Sequence, residues 1–336
     1  MKFAALRGNG LMKNTIFDKK SILNRDDCFG PYILLREKLA AAGFHIDTVD
    51  QSNGKSLAFE LHQDVHHESD TTVNYLLMFE TEFVKIENGD PASWTKYRKI
   101  FTWNDCLVDN DRFIKINFPN AILTHAADGY STRNRFCCLI SGNKALPIED
   151  HRNLYPERVK AIRWFEAHAP QDFDLYGIGW DLPQAVNGTV GKFQRRFWQA
   201  IGRVMKLRPF PSYRGKVEHK REVLTKTRFS ICYENVSGFS GYITEKIFDC
   251  FFSGCVPVYW GAKNIADHIP HDCFIDRRAF QDTESVYTFL KAMPEQEFIG
   301  YQTRMAAFLK SEAGYMFGAE YFANTVTATI AQDYGK

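Results

Sequence analysis

Apolar runs that are separated by helical patterns place the strongest constraint on how this chain folds. The run TVNYLLMFE at 72–80 is almost continuously apolar, as expected of a strand buried on both faces of a parallel sheet. KFAAL at 2–6, HIDTV at 45–49 and YRKIFTW at 97–103 have strand character as well, and apolar residues recur at helical spacing from Tyr32 to Leu39. Strands that alternate with helices predict a parallel α/β sheet.

A second series of alternating strands and helices begins near residue 135. Its segments are RFCCLISGN (135–143), LYPERVKAIRWFEAHA (154–169), FDLYGIGW (173–180), RFSICYEN (228–235), TEKIFDCFFSG (244–254), VPVYWG (256–261) and AKNIADHI (262–269). Two series predict two α/β domains with a cleft between them, and ligands of such sheets bind beyond the carboxyl ends of the strands.

The predicted organisation has three parts. Residues 1–134 form an amino-terminal, acceptor-side domain, and residues 135–310 form a donor-binding domain that contains a basic insert at 190–222. Residues 311–336 form a helical tail, for which we consider packing back on the amino-terminal domain. No internal repeat and no low-complexity segment interrupts this organisation.

A Glu-Lys pair stands at the predicted start of the helix in the second series. Thr244 is a plausible N-cap, so that Glu245 and Lys246 lie in the first helical turn. A helix N-terminus suits a phosphate group, and a carboxylate accepts hydrogen bonds from the two hydroxyls of a ribose. The pair taken alone is more typical of a solvated helix end, so its interpretation depends on the residues around it.

The longer stretch RFSICYENVSGFSGYITEKIFDCFFSGCVPVYWG, residues 228–261, resembles the signature of glycosyltransferase family 10, the α-1,3/1,4-fucosyltransferases, and its bacterial members in particular. That signature joins a strand ending in E-N to a loop, a Y-I/V-T-E-K helix start, an apolar helix and a V/I-P-V/I-x-x-G strand. The matching residues are Glu234, Asn235, Tyr242, Ile243, Thr244, Glu245, Lys246, Pro257, Val258 and Gly261.

The resemblance implies a GT-B architecture, which consists of two Rossmann-like parallel-sheet domains with a cleft between them. It also implies an inverting transfer of L-fucose from GDP-fucose to a glycan hydroxyl, in an α-1,3 linkage, without a metal ion or other cofactor. A lipopolysaccharide or another cell-surface glycan is the expected acceptor. A transferase for another GDP-activated deoxysugar and an inactive sugar-nucleotide-binding protein remain alternative interpretations.

The family's donor residues can be carried over to this chain. Glu245 is expected at the ribose and Lys246 at the diphosphate, and the remaining donor-site candidates are Asn235, Tyr242, Thr244 and Glu234. Arg158 is the best match for a second phosphate-binding arginine, with Arg163 as an alternative.

The catalytic base is where the chain departs from the bacterial pattern. Those enzymes carry a glutamate in a G-E-N turn, whereas the equivalent turn here reads FTWND and offers Asn104 and Asp105. An asparagine side chain is no base, so Asp105 is one candidate. Glu80 and Glu82, at the end of TVNYLLMFE, are the others, because a strand end also lies at the expected cleft.

Metal sites are not expected. The Asp109-x-Asp111 pair is a weak metal signal, and the eight cysteines show no C-x-x-C spacing. His62 and His66 have the i,i+4 spacing of a helical metal pair, but no third ligand is identifiable, so a solvated helix face containing them and His67 is the better interpretation.

The basic insert is a distinct feature of the charge distribution. Residues 191–228 contain 12 Lys and Arg against 2 Glu, while the rest of the chain is acidic. The part at 190–208 has the pattern of a basic amphipathic helix, which predicts peripheral contact with an anionic membrane or packing against its own domain.

A nucleic-acid partner is not expected. The chain lacks an apolar run of about 18 residues and an apolar leader, so we expect a cytoplasmic protein.

Overall fold

The computed structural model describes residues 1–10, 12–121, 129–146, 149–188, 191, 193, 196–198 and 208–335. The chain divides into two compact units. The first contains Met1–Leu123, Ser240–Glu245 and Ser311–Lys336, and the second contains Thr124–Phe239 and Lys246–Lys310. The short segment 240–245 therefore belongs to the first unit, although its neighbours in sequence on both sides belong to the second.

The strands are β1 (Lys2–Arg7), β2 (Phe44–Thr48), β3 (Leu57–Gln63), β4 (Asn74–Met78), β5 (Tyr97–Thr102), β6 (Phe113–Lys115), β7 (Arg135–Ile140), β8 (Phe173–Tyr176), β9 (Tyr213–Gly215), β10 (Thr227–Tyr233), β11 (Val256–Trp260) and β12 (Ile275–Asp276). The α-helices with described bounds are α1 (Gly30–Ala41), α2 (Pro91–Trp94), α3 (Tyr155–His168), α4 (Lys220–Leu224), α5 (Glu245–Phe252), α6 (Ile265–His268), α7 (Thr283–Ala292), α8 (Glu295–Leu309), α9 (Glu312–Tyr315) and α10 (Ala319–Asp333).

The first unit is built on a parallel sheet with the strand order β2-β1-β3-β4-β5-β6. All five residues of β4 are buried, because both faces of the sheet are covered. On one face the sheet packs against α1 and α10 through Leu35, Leu39, Phe322 and Val326, and on the other a smaller cluster surrounds Leu76. The continuous apolar run that predicted a doubly covered strand thus corresponds to a strand in the middle of the sheet.

The second unit contains a parallel sheet with the order β12-β11-β10-β7-β8-β9. Its strand β10 pairs with β11 on one side and β7 on the other, with Phe229 opposite Val256 and Cys137. The buried Arg133 guanidinium donates to the carbonyl oxygens of Leu224, Thr227 and Ser253 at 2.6–2.8 Å. Two parallel sheets with helices between their strands confirm the predicted α/β class.

Two expectations about local structure were wrong. His62 lies in strand β3 and is buried, not on a solvated helix face with His66. The sequence LAFELHQ was not recognised as a strand because its inward-facing residues include a glutamate and a histidine, which interrupt the apolar pattern. In addition, the predicted helix AKNIADHI is a single turn at Ile265–His268.

None of the helices in the described part of the chain combines the length and apolar character needed to cross a membrane.

Buried charges accompany His62 in the first unit. The carboxylate of Glu60 accepts hydrogen bonds from Arg7 Nε at 2.7 Å and from the main-chain N–H of Asp70, and His62 Nε2 lies 3.0 Å from it. The Tyr97 hydroxyl lies 3.0 Å from His62 Nδ1. These contacts fit a neutral imidazole whose Nε2–H donates to Glu60, because burial lowers the pKa of His62.

The ionised form of Glu60 is favoured in the folded protein. Burial by itself raises the pKa of this carboxyl, but the hydrogen bonds from His62 and Arg7 outweigh burial and lower the pKa to about 2. Glu60 therefore contributes stability that is present above its unfolded pKa of about 4.5 and is lost as the pH falls from there towards 2.

We expect Glu60→Gln to lower the free energy of unfolding at pH 7 by roughly 3 kcal/mol, since the substitution leaves Arg7 without its buried carboxylate partner. The variant should also lose most of the wild-type decline in stability between pH 4.5 and pH 2. Urea denaturation at several pH values measures both effects. Glu68→Gln is the matched control, because Glu68 is an exposed partner of the same arginine at 3.8 Å. Equal stability of Glu60→Gln and Glu68→Gln would contradict the prediction.

Candidate functional site

The carboxyl end of β10 and the start of α5 bring an ion pair together in the second unit. Glu234 follows β10 directly, and its side chain has 0% exposure. Its Oε2 lies 3.0 Å from Lys246 Nζ, at the second residue of α5. The Lys246 side chain is partly exposed while that of Glu234 is not, so the buried carboxylate holds the lysine at the edge of the protein interior.

Gly261, the residue after β11, makes room for this ion pair. A Cβ atom at this position would lie 2.4 Å from Glu234 Cγ and 2.4 Å from the Tyr259 hydroxyl. The main-chain N–H of Glu234 donates to the Trp260 carbonyl at 2.8 Å, which keeps the two strand ends in register. The E-N, E-K and V-P-x-x-x-G elements of the sequence signature therefore meet in one place.

Arg158 on α3 lies at the same end of the sheet. It is buried, and its Nη2 donates to the Tyr233 carbonyl at 2.6 Å and to Asn235 Oδ1 at 3.1 Å. The alternative arginine, Arg163, is exposed and instead contacts Glu166 at 2.7 Å. Of the two candidates, only Arg158 is held beside the E-N element, as the predicted phosphate-binding role requires.

A narrow cavity of about 30 Å³ extends between these residues. Its lining includes the cationic groups of Arg158, Lys220 and Lys246, and Lys220 is paired with Asp249 at 2.6 Å. The remaining lining residues are Leu139, Ile140, Ser141, Leu224, Ser230, Ile231, Cys232, Tyr233, Asp249 and Cys250. The buried Ser141 Oγ has no hydrogen-bond partner in the described structure. At this volume the cavity admits only water-sized groups, so it marks where the cationic side chains converge and is too small to enclose a diphosphate.

Tyr242 and Thr244 belong to the segment 240–245 of the first unit, where both are buried. The Tyr242 ring lies 4.9 Å from the Trp103 ring and 5.7 Å from the Phe118 ring, so it anchors the segment. Glu245, the first residue of α5, is exposed, as the predicted ribose contact requires. The donor contacts predicted for Tyr242, Thr244 and Glu245 stay predictions.

The three candidate bases have different surroundings in the first unit. Asp105 Oδ1 lies 2.6 Å from Lys115 Nζ in an ion pair. Glu82 packs so closely against Gly89 that a Cβ atom at that glycine would lie 2.6 Å from Glu82 Cβ. Glu80 follows the buried strand β4, and its main-chain N–H donates to Asp64 Oδ1 at 2.9 Å.

The support around Glu80 was not predicted. Asp64 and Asn88 both bind its main chain, but they lie 16 and 8 residues away in sequence. Neither belongs to a recognisable motif. The only local signal was a polar residue directly after a strand, a feature that is too common to identify a functional position.

Among the described residues, no group of three or more His, Cys, Asp or Glu side chains is arranged so that it could hold a metal ion. The Asp109-x-Asp111 pair is part of a loop. Asp109 Oδ1 accepts the main-chain N–H groups of Asp111 and Phe113 at 2.8 Å each, and Asp111 pairs with Lys99.

Comparison with known proteins confirms the resemblance predicted from the sequence. Residues 196–303 match the family model described as Glycosyltransferase family 10 (fucosyltransferase) C-term. The chain is 35% identical over 75 residues to Alpha-(1,3)-fucosyltransferase FucT of Helicobacter pylori, covering 22% of this chain and 16% of that protein. It is 30% identical over 76 residues to Alpha-(1,4)-fucosyltransferase of Arabidopsis thaliana, covering 23% and 19%. The matched stretches span less than one fifth of these relatives.

Comparison with solved structures confirms the predicted GT-B fold over nearly the whole chain. An alpha1,3-fucosyltransferase with GDP-fucose superposes with a TM-score of 0.57 at 13% identity, covering 98% of this chain and 90% of the other. An alpha-glucosyltransferase in complex with UDP and DNA gives a TM-score of 0.55 at 12% identity, covering 99% and 100%. At this identity the likeness concerns the fold alone.

We expect Gly261→Ala to lower the free energy of unfolding by about 2 kcal/mol, because its Cβ overlaps Glu234 and Tyr259, neither of which can shift without disturbing buried contacts. Thermal or urea denaturation measures the effect. Gly142→Ala is the matched control, since its Cβ would contact only the flexible Lys144 side chain at 3.4 Å. If both variants unfold like the wild type, the proposed close packing at Gly261 is wrong.

Proposed function

We propose that this chain, in which residues 196–303 match the glycosyltransferase family 10 model, is an inverting glycosyltransferase that moves L-fucose from GDP-fucose to a glycan hydroxyl. The observation that carries the proposal is the ion pair of Lys246 with the buried Glu234, both of which lie within the matched region. Arg158 lies beside this pair, where it contacts Asn235. This arrangement fixes two cations where a diphosphate would bind, at the N-terminus of a helix.

The donor is bound through its charged and hydroxylated groups. Lys246 and Arg158 bind the diphosphate, and the exposed Glu245 accepts hydrogen bonds from the ribose hydroxyls. As the bond between sugar C1 and the phosphate oxygen breaks, negative charge develops on GDP. The two cations and the N–H groups at the start of α5 stabilise this charge, so that the transfer proceeds without a metal ion.

Glu80 is the general base of the transfer. It removes the proton of the acceptor hydroxyl while that oxygen attacks C1 of the sugar from the face opposite GDP, which inverts the configuration. Asp105 is less suitable because its carboxylate is already engaged in an ion pair with the Lys115 ammonium at 2.6 Å. Glu82 is less suitable because its side chain packs along the Gly89 loop.

The acceptor is a cell-surface glycan such as a lipopolysaccharide, to which the enzyme gains access by peripheral contact with an anionic membrane through residues 190–208. Two described side chains in that segment support this contact, since Phe193 is 74% exposed and Phe197 55% exposed. Arg196 between them is exposed as well. Exposed aromatic residues next to basic ones are typical of an interfacial helix. The other residues that carried the amphipathic pattern, Lys192, Arg195 and those at 200–206, lie outside the described residues.

We expect GDP-fucose and GDP to raise the melting temperature, and GDP-fucose to be turned over in the presence of a glycan acceptor. Lys246→Ala should lower kcat/KM by about 100-fold or more, because it removes a charge that stabilises the leaving group. Measurement of GDP release with a panel of acceptors tests this expectation. Lys160→Ala is the control, since Lys160 is an exposed residue of α3 that pairs with Glu157.

Stabilisation by UDP-sugars but not by GDP compounds would contradict the donor assignment. Stabilisation by GDP-fucose without turnover by any acceptor would favour the inactive sugar-nucleotide-binding protein, and turnover of another GDP-deoxysugar would replace fucose. Activity that is lost in EDTA and restored by Mn²⁺ would contradict the metal-free mechanism.

We expect the protein to co-sediment with vesicles rich in phosphatidylglycerol at low salt, and to be released as salt screens the basic residues. The variant Phe193→Ser/Phe197→Ser should bind at least about fivefold more weakly, because it removes apolar groups that enter the membrane surface. Ile22→Ser is the control, as Ile22 is an apolar residue with 89% exposure in the first unit. Failure of the wild type to bind such vesicles, or undiminished binding by the double variant, would remove the membrane proposal.

A further inference from the structure

The main chain at Glu80 is held by side chains and not by the sheet. Strand β4 ends at Met78, so the next peptide groups lie beyond the strand ladder. The N–H groups of Phe79 and Glu80 both donate to Asp64 Oδ1 at 2.9 Å. The carbonyl oxygen of Glu80 accepts a hydrogen bond from Asn88 Nδ2 at 2.8 Å. The Phe79 carbonyl accepts one from Trp103 Nε1 at 2.8 Å.

Asp64 and Asn88 form a closed network around this peptide. Asn88 Nδ2 also donates to Asp64 Oδ1 at 2.7 Å, and Asn88 Oδ1 accepts the main-chain N–H of Val65 at 2.9 Å. Both residues are buried, with 8% exposure for Asp64 and 3% for Asn88. A buried oxygen that accepts three hydrogen bonds cannot move without leaving donors unsatisfied, so the network restrains the Glu80 backbone strongly.

Asp64 also has an unusual backbone conformation. Its φ is +60°, in the left-handed region that residues other than glycine rarely adopt. Such a conformation is unfavourable for a residue with a side chain and persists where the surroundings over-determine it. Here the carboxylate of this residue accepts hydrogen bonds from the main-chain N–H groups of Phe79 and Glu80.

We propose that Asp64 and Asn88 are positioning residues that hold the Glu80 carboxylate in the geometry needed for proton removal. The proposal rests on the proposed function, in which Glu80 is the base. Neither residue contacts the substrates in this assignment; both act through the peptide group of Glu80. A base that is displaced by about 1 Å can lose roughly 100-fold in rate, so the restraint affects kcat more than donor binding.

The test is a double-mutant cycle between Asp64 and Glu80. Asp64→Gly removes the carboxylate while tolerating the positive φ, and we expect kcat to fall about 30-fold with less than a twofold change in KM for GDP-fucose. In the Glu80→Gln background, Asp64→Gly should reduce the residual rate of GDP release by no more than about twofold, because there is no base left to position.

The conservative variant separates positioning from folding. Asp64→Asn keeps an acceptor oxygen and tolerates the left-handed conformation, so it should retain kcat within about fivefold of the wild type. Asp50→Ala is the matched control in the same unit. Asp50 likewise accepts a main-chain N–H, from Lys13 at 2.8 Å, but is not joined to Glu80, so this variant should have wild-type kcat. Melting temperatures and GDP binding of every variant exclude loss of the fold.

The outcomes distinguish this inference from the proposed function. An unchanged kcat in Asp64→Gly, a full 30-fold loss in the Glu80→Gln background, or a loss of GDP binding would each overturn the positioning role. If Glu80→Gln retains wild-type kcat, the base assignment and the positioning role both fall, while the transferase function stands. If the wild type turns over no GDP-sugar, the proposed function falls and this inference falls with it.

Discussion

The ion pair between Glu234 and Lys246 is the interaction on which the candidate site depends. A carboxylate with no exposure to solvent is costly unless it is paired, and the Lys246 ammonium at 3.0 Å is the pairing cation that the structure describes. The pair requires β10, β11 and α5 to meet closely, and Gly261 permits this approach because any side chain there would overlap Glu234. The signature residues on β10, β11 and α5 therefore depend on one another through close packing as well as through the ion pair. Arg158, which reaches the same place from α3, adds a second cation that is fixed by main-chain and Asn235 contacts.

The first unit contains two clusters of buried polar groups that are held by several hydrogen bonds each. Glu60 lies within the sheet and is satisfied by Arg7, His62 and the Asp70 main chain. Further along, Asp64 accepts three hydrogen bonds at the point where β4 ends. Both clusters cost desolvation, and the Asp64 cluster fixes the geometry of a strand end, where α/β proteins place their ligands. Polar networks of this kind hold backbone groups more rigidly than apolar packing does, because each broken bond leaves a buried donor or acceptor unsatisfied.

Sequence reasoning was most successful where one physical effect dominated. The run at β4 is apolar because both faces of the sheet are covered, and with the alternation of strands and helices it indicated a parallel sheet. It failed for β3, since Glu60 and His62 occupy inward positions that an apolar pattern would fill with aliphatic side chains. His62 was then misinterpreted as part of a helical histidine pair, because spacing along the chain cannot distinguish a strand followed by a loop from a helix.

Local periodicity and one ordered motif were enough to predict the two parallel sheets, the start of α5 at Glu245 and the likeness to family 10. The folded structure was needed to distinguish Arg158 from Arg163, to show that Glu234 pairs with Lys246, and to show that Asp64 binds the main chain of Glu80. These features arise from hydrogen bonds and ion pairs between residues that are far apart in the chain. The partners of a buried polar group are chosen by the folded geometry, and no local pattern of residues records that choice.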